Sequence, residues 1–351
     1  QQVTNDTYLK TYKIKSPIVS DYNSLKSSVA IEAYKESFIF NADLQVYENL
    51  SKENNDRYEY IFPNYNLTKE FNIDEKINGN FSLNSSGYMK NYDTNILEKV
   101  VINDFIYNSN PKFTNLGLVN NYNLLVKNIN TDSKNSSKYK DDPDTKFASI
   151  IEYSSSYPLK KETKTYYNVL KPIVSLRYSP NNNRNRRDDN RRIDTTNVFS
   201  LNRIGTNDSV EGGASLTYGT EFAKSTKSNK KILSTKIASV FRAKEDNNLP
   251  GNSTLGEKSS DIFGNINFSP NEIWSMSYEF SQDNNLSDTN FEILKNQISI
   301  NNFVTTFEYL NENNTKENES YLSSTTSYNF NNSHNLSFGT RENKKTKLTE
   351  F

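Results

Sequence analysis

The chain has 351 residues with 42 basic and 42 acidic side chains, one histidine and no cysteine. That inventory provides no disulfide framework, no thiol nucleophile and no zinc–thiolate site, and leaves only His334 for metal or acid–base work. Balanced charge argues against an electrostatically driven nucleic-acid binder, which would carry a basic excess. A mean hydropathy of −0.84 borders on that of disordered chains, yet 13% of the residues are aromatic and the polarity comes largely from 55 asparagines. Disordered segments are poor in aromatics, and asparagine is an uncharged turn former, so a folded, turn-rich chain is expected. No apolar run exceeds three residues, which excludes a transmembrane helix and a signal-peptide core.

In chain order, the first clear element begins at Phe38. Phe38, Phe40, Ala42, Leu44 and Val46 alternate with Asn41, Asp43 and Gln45, the period of a strand with one apolar face. Weaker alternation follows at Leu116–Val126 and Val174–Tyr178. From Gly212 it is strong again, with Ala214, Leu216, Tyr218 and Phe222 opposite Ser215, Thr217, Gly219 and Glu221. Ile262–Phe268 is weaker, Trp274–Phe280 sets its aromatics against Ser275, Ser277 and Glu279, and Phe303–Tyr309 closes the series. No comparable window carries a 3.6-residue period.

The joints between strands alternate in length. Lys35–Ser37, Asn72–Lys76, Asn108–Asn115, Tyr157–Thr165, Ala223–Lys231, Ser269–Glu272, Asn301-Asn302 and Asn331–His334 read as short. Lys15–Ser24, Glu48–Arg57, Asn130–Thr145, Ser179–Asp208, Lys244–Ser260, Gln282–Asn290 and Asn311–Glu319 read as long; Asn91–Asn95 is short where the phase wants length. The count comes to roughly 17 strands, long enough to span a bilayer when tilted. A meander that wide closes rather than exposing two edges, and short turns at one rim with long loops at the other match an outer-membrane barrel. The predicted class is therefore all-β: an antiparallel transmembrane β-barrel of outer-membrane type. Apolar faces would then meet lipid. The polar positions Asn41, Asp43, Gln45, Ser215, Thr217, Ser275 and Glu279 would line a wet lumen. A soluble β-sandwich or surface adhesin burying its Phe and Tyr is the alternative. Composition is uniform, so residues 1–351 read as part of one domain.

Few constellations suggest chemistry. Asn181–Arg192 gathers Arg184, Arg186, Arg187, Arg191 and Arg192 around Asp188 and Asp189. It reads either as a guanidinium cluster for phosphate groups or as a solvated loop tip. Gly212-Gly213 lacks the spacing of a phosphate loop and leads into a strand. Pro143 interrupts Asp141, Asp142 and Asp144, which show no calcium-loop pattern. No two carboxylates stand out as an acid–base pair. No cofactor or metal site is expected, and the protein does not read as an enzyme.

One stretch resembles a known family. LKPIVSLRYSP, a polar insertion, and RIDTTNVFSLNRIGTNDSVEGGASLTYGTEF resemble the C-terminal region of the LPS-assembly protein LptD (organic solvent tolerance protein), closest to its alphaproteobacterial branch. DTYLKTYKI, FNADLQVYENL, GLVNNYNLLVKNIN and SSSYPLKKETKTYYNVLKP fit in the same order. The resemblance implies a large barrel in the outer membrane of a Gram-negative bacterium that delivers lipopolysaccharide to the outer leaflet. It implies a plug lipoprotein, LptE, and a periplasmic bridge protein, LptA, docked through an N-terminal jellyroll. The chain would be a fragment without that jellyroll and without the terminal strands. The missing cysteine would then reflect where it was cut, and the lateral seam would lie outside it. By the same reading, VFSLNRIG belongs to the long-loop rim or folds back into the lumen, and the arginine cluster faces lipopolysaccharide phosphate. A porin-like channel is the alternative function.

Overall fold

A computed structural model describes residues 3, 5–12, 21–71, 78–181, 184–251, 254–313, 318–331 and 334–350. The expected joint at Asn72–Lys76, most of the one at Lys15–Ser24 and parts of those at Asn311–Glu319 and Asn331–His334 lie outside these residues. The described chain is all-β apart from one helical turn, α1 (Tyr8–Tyr12), and two 3-10 turns. No helix among the described residues is long and apolar enough to cross a membrane.

Nineteen strands are present among the described residues. They are β1 (Ser24–Lys35), β2 (Phe38–Asn49), β3 (Tyr58–Phe71), β4 (Gly79–Tyr92), β5 (Ile96–Ser109), β6 (Lys112–Phe113), β7 (Val119–Lys134), β8 (Asp144–Ser156) and β9 (Leu159–Glu162). There follow β10 (Tyr166–Ser179), β11 (Gly213–Thr226), β12 (Lys231–Arg242), β13 (Ile262–Phe268), β14 (Trp274–Gln282), β15 (Thr289–Ile300), β16 (Phe303–Asn313), β17 (Asn318–Asn331), β18 (His334–Asn343) and β19 (Thr349–Glu350). β6, β9 and β19 are short additions, β6 and β9 falling within the expected joints Asn108–Asn115 and Tyr157–Thr165, which leaves 16 longer strands, one fewer than alternation suggested. The fold class is that of the outer-membrane barrel wall: antiparallel strands that mostly pair with a neighbour in sequence, β5 pairing with β7 and β8 with β10 past the short β6 and β9.

The chain forms two compact units. The first, Gln1–Asn110 with Asn123–Ser149, is a meander in which β1, β2, β3, β4, β5 and β7 pair antiparallel in that order. One core cluster among its described residues joins Val100 and Ile102 of β5, Ile129 of β7, and Tyr139, which folds back from the loop after β7. Leu9 of α1 packs with Leu25 and Leu50 where β1 begins and β2 ends.

The second unit, Pro111–Tyr122 with Ile150–Phe351, continues the pattern from the end of β8 through β10 to β19. β10 and β11 pair over their full length, Tyr166 with Thr226 to Ser179 with Gly213, so β10 starts well before the apolar run at Val174. Lateral hydrogen bonding extends a strand beyond its hydrophobic segment wherever a neighbour is available. β7 starts at Val119 rather than Leu116, because Gly117, at φ 84°, turns the chain within Thr114–Leu118. Ile262–Phe268 and Trp274–Gln282 keep the expected limits within two residues.

Along β12 the pleat sends Ala238, Val240 and Arg242 to one face, all buried, and Ile237 and Phe241 to the other, both exposed. The described residues of the long connections at 180–212 and 243–261 cover the first of these faces. They contribute Ile193, Val198, Ile204, Leu249 and Leu255 to a core completed by Ala238, Val240 and Phe263. Full burial of one such aliphatic side chain is worth roughly 1.5–3 kcal/mol. The covered face is thus held by apolar contacts as well as by charge.

Candidate functional site

Register places a row of side chains across four strands of the second unit. Glu152 of β8 lies opposite Arg177 of β10, Arg177 opposite Ser215 of β11, and Ser215 opposite Arg242 of β12. All four are buried. They share the covered face, and the connection from β10 to β11 docks on them.

That connection builds its own turns first. The Asp194 carboxylate accepts hydrogen bonds from the Thr196 amide (2.6 Å) and the Asn197 amide (3.3 Å). Asn197 in turn accepts from the Asp194 amide at 3.0 Å and donates its side-chain amide to the Arg192 carbonyl at 3.0 Å. Asn202 donates to the Thr206 carbonyl at 3.0 Å. Such Asx turns let a segment without regular structure satisfy its own backbone. They turn Val198 and Ile204 into the core and present Arg203 to the wall.

Arg203 forms a two-pronged contact with Glu211, Nε to Oε2 at 2.8 Å and Nη2 to Oε1 at 2.5 Å. The same guanidinium donates to Thr217 Oγ1 at 2.9 Å and Ser215 Oγ at 2.7 Å. Arg242 bonds Glu211 through Nη1 and the Gly212 carbonyl through Nη2, the latter at 2.7 Å. Arg177 donates Nε to the Leu201 carbonyl at 2.9 Å, with Nη1 3.7 Å from Glu211. One fully buried carboxylate therefore serves three buried arginines. Burial by itself would raise the Glu211 carboxyl, but the charges of Arg203, Arg177 and Arg242 outweigh it and hold the group down at about 2. Gly213 ends the loop at φ 82°, and a β-carbon there would come within 3.3 Å of Arg242 Nη2. Glycine fits on both counts.

A second layer uses the arginine-rich stretch. Arg186 Nη2 bonds Asp208, Arg184 Nη1 lies 3.3 Å from the other oxygen of that carboxylate, and Arg186 also pairs with Asp189 at 3.4 Å. Backbone bonds from Arg186 to the Asn248 carbonyl (2.7 Å) and from Gly251 to the Arg187 carbonyl (3.0 Å) tie this loop to the one after β12. Arg192 crosses to other strands. Its guanidinium lies over the Phe291 ring at 3.3 Å, with Glu279 at 4.0 Å and Glu312 at 3.8 Å. Arg187 and Arg191 are exposed.

The polar positions singled out in the sequence are distributed as follows. Ser215, Thr217 and Glu279 meet the loop arginines, and Ser275 is half-buried on β14. In the first unit Asp43 accepts from Asn64 at 2.7 Å and bonds Gln45, which accepts from the Tyr47 hydroxyl at 2.9 Å; Asn41 is half-buried. The residues the sequence did not single out are Glu211, Arg203, Arg177 and Arg242. Arg177 and Arg242 show in sequence as a lone arginine within an apolar stretch, SLRYS and SVFRA, and Arg203 and Glu211 lie within the family-like stretch from VFSLNRIG to VEGGA.

Antiparallel strands in up-and-down order, with apolar side chains exposed on one face and a long loop locked by buried charge on the other, define an outer-membrane barrel wall. The model of the LptD family, described as LPS transport system D, matches residues 1–341, and the chain belongs to that family. The family acts in lipopolysaccharide transport and assembly at the outer membrane and is not a family of enzymes. A comparison with curated proteins found no match.

Proposed function

We propose that this chain forms wall of a lipopolysaccharide translocon in the outer membrane, with the loop at residues 180–212 folded into the lumen as an occluding element. The observation that carries the reading is the docking of that loop onto the polar face of β10, β11 and β12 through Arg203, Glu211 and Arg242. An open diffusion pore needs a free lumen, so a loop fixed by a buried ion network favours a gated passage over the porin-like alternative. Asn41, Asp43, Gln45, Ser275 and the remaining lumen positions then hydrate the sugar portion of the cargo or contact a plug lipoprotein of the LptE type. A bridge protein of the LptA type would supply the lipid from the periplasm. Both units are read as wall of one barrel domain.

Within the arginine cluster the roles divide by exposure. Arg184, Arg186 and Arg192 hold the loop, whereas Arg187 and Arg191 face outward and are the candidates for lipopolysaccharide phosphate. Replacing the loop with a short Gly/Ser linker in the complete protein tests the main reading. A folded, heat-modifiable barrel should remain, with less lipopolysaccharide delivered to the cell surface and greater permeability to large antibiotics. Raised permeability with normal delivery would favour the porin-like channel. Recovery of a plug lipoprotein with the purified protein tests the partner.

A further inference from the structure

The wall that carries the ion network on one face carries an apolar groove on the other. Because the pleat alternates, the neighbours of Arg177 and Ser215 point the opposite way: Leu176 and Tyr178 of β10, Ala214 and Leu216 of β11, with Phe241 and Ala243 beside them. These residues line a depression of about 450 Å³. Its large side chains are exposed, Leu176 and Tyr178 at 53% and Phe241 at 49%. Ala214 and Ala243 leave room between their taller neighbours, so the outward surface is indented where most of the band is continuous.

We infer that this groove seats an acyl chain of lipopolysaccharide in the outer leaflet. Three observations select that occupant, resting on the outer-membrane reading above. The groove continues the exposed apolar band of Leu170, Val174, Tyr218 and Ile237 on the same strands, the surface that hydrocarbon covers in a barrel. It lies where β10 ends and β11 begins, at the long-loop rim, which in outer-membrane barrels is the extracellular side. Its lining offers apolar surface flanked by Tyr178 at the rim, whereas a protein interface of useful affinity surrounds its apolar centre with hydrogen-bonding groups. The ion network behind the groove holds β10, β11 and β12 in fixed register, so the indentation is preformed and ordering a chain within it costs less.

Site-specific photocrosslinking in intact outer membranes tests this. The complete protein would carry p-benzoylphenylalanine in place of Phe241, in the groove, or of Phe222, on the same face toward the short-turn end of β11. The substitution enlarges an existing aromatic ring, and heat-modifiable migration confirms that each variant forms a barrel; native mass spectrometry of the unsubstituted protein gives an independent readout of retained lipid. The expected result is a lipopolysaccharide adduct at position 241, none above background at 222, and loss of the adduct when Ala214→Leu and Ala243→Leu fill the groove. Equal adducts at both positions, a phospholipid or protein adduct at 241, or an adduct that survives filling would overturn the groove assignment. Normal surface delivery in the filled variant would separate that failure from failure of the transport reading, which loop replacement addresses.

Discussion

Glu211 is the residue on which the docked loop turns. Removing its charge while keeping its shape, as in Glu211→Gln, leaves Arg203, Arg177 and Arg242 facing one another without their shared counter-ion. Breaking a buried pair in this way costs about 3–5 kcal/mol, enough to release a loop but not to unzip a sheet paired strand by strand. The expected outcome is a barrel of normal heat-modifiability in which residues 180–212 become sensitive to protease; continued resistance would show that the apolar contacts suffice. Arg203→Lys should have a similar though smaller effect, because an ammonium cannot reproduce the two-pronged contact with Glu211 together with bonds to Ser215 and Thr217. The depressed Glu211 carboxyl also fixes the sign of the pH response. Its folded value lies near 2 against an ordinary 4.5, so its contribution is fully present above about pH 4.5 and is lost as pH falls toward 2. Hydrogen exchange of the loop amides across that interval should show protection declining with acid. A flat profile would mean that the carboxylate does not hold the loop.

At the scale of elements, the long connections are more than polar filler. Ile193, Val198, Ile204, Leu249 and Leu255 have no regular spacing in sequence, yet they meet in one core over β12 and β13. Ile204→Ala should weaken loop docking by about 2–5 kcal/mol, read as faster proteolysis of residues 180–212 with strand pairing intact. The strands have their own tight point. A β-carbon on Gly219 would meet the Ile237 carbonyl oxygen at 2.4 Å and the Ala238 β-carbon at 2.8 Å, whereas at Gly339 its nearest neighbour is Thr325 Oγ1 at 3.4 Å. Gly219→Val should therefore lower the temperature at which the barrel unfolds on a gel, and Gly339→Ala should leave it nearly unchanged. Equal behaviour of the two would place the crowding elsewhere.

For the whole molecule, the transport reading predicts that loosening the loop and losing the loop differ in degree. Glu211→Gln should raise antibiotic permeability less than replacement of the loop by a linker, since the freed loop still occupies space. If neither change alters permeability or lipopolysaccharide display, the loop does not occlude the passage.

Alternation of apolar and polar residues in stretches such as Phe38–Val46 and Trp274–Phe280 was enough to read strands, their antiparallel order and the two classes of joint, because period two is a local property of the backbone. The motif VFSLNRIG was legible as a family signature and as part of a long connection. Sequence could also mark Ser215 and Thr217 as polar on an otherwise apolar strand. It could not say that Arg203 would meet them, nor that Arg177, Glu211 and Arg242, separated by tens of residues, would share one buried site. That depends on register between β8, β10, β11 and β12 and on the path of a loop built from Asx turns, both of which are set by long-range pairing. Composition, with its balanced charge and missing cysteine, bounded what the protein could be. Only the tertiary structure decided which of its many charges are solvated and which are buried against each other, because desolvation is a property of the neighbourhood and not of the residue.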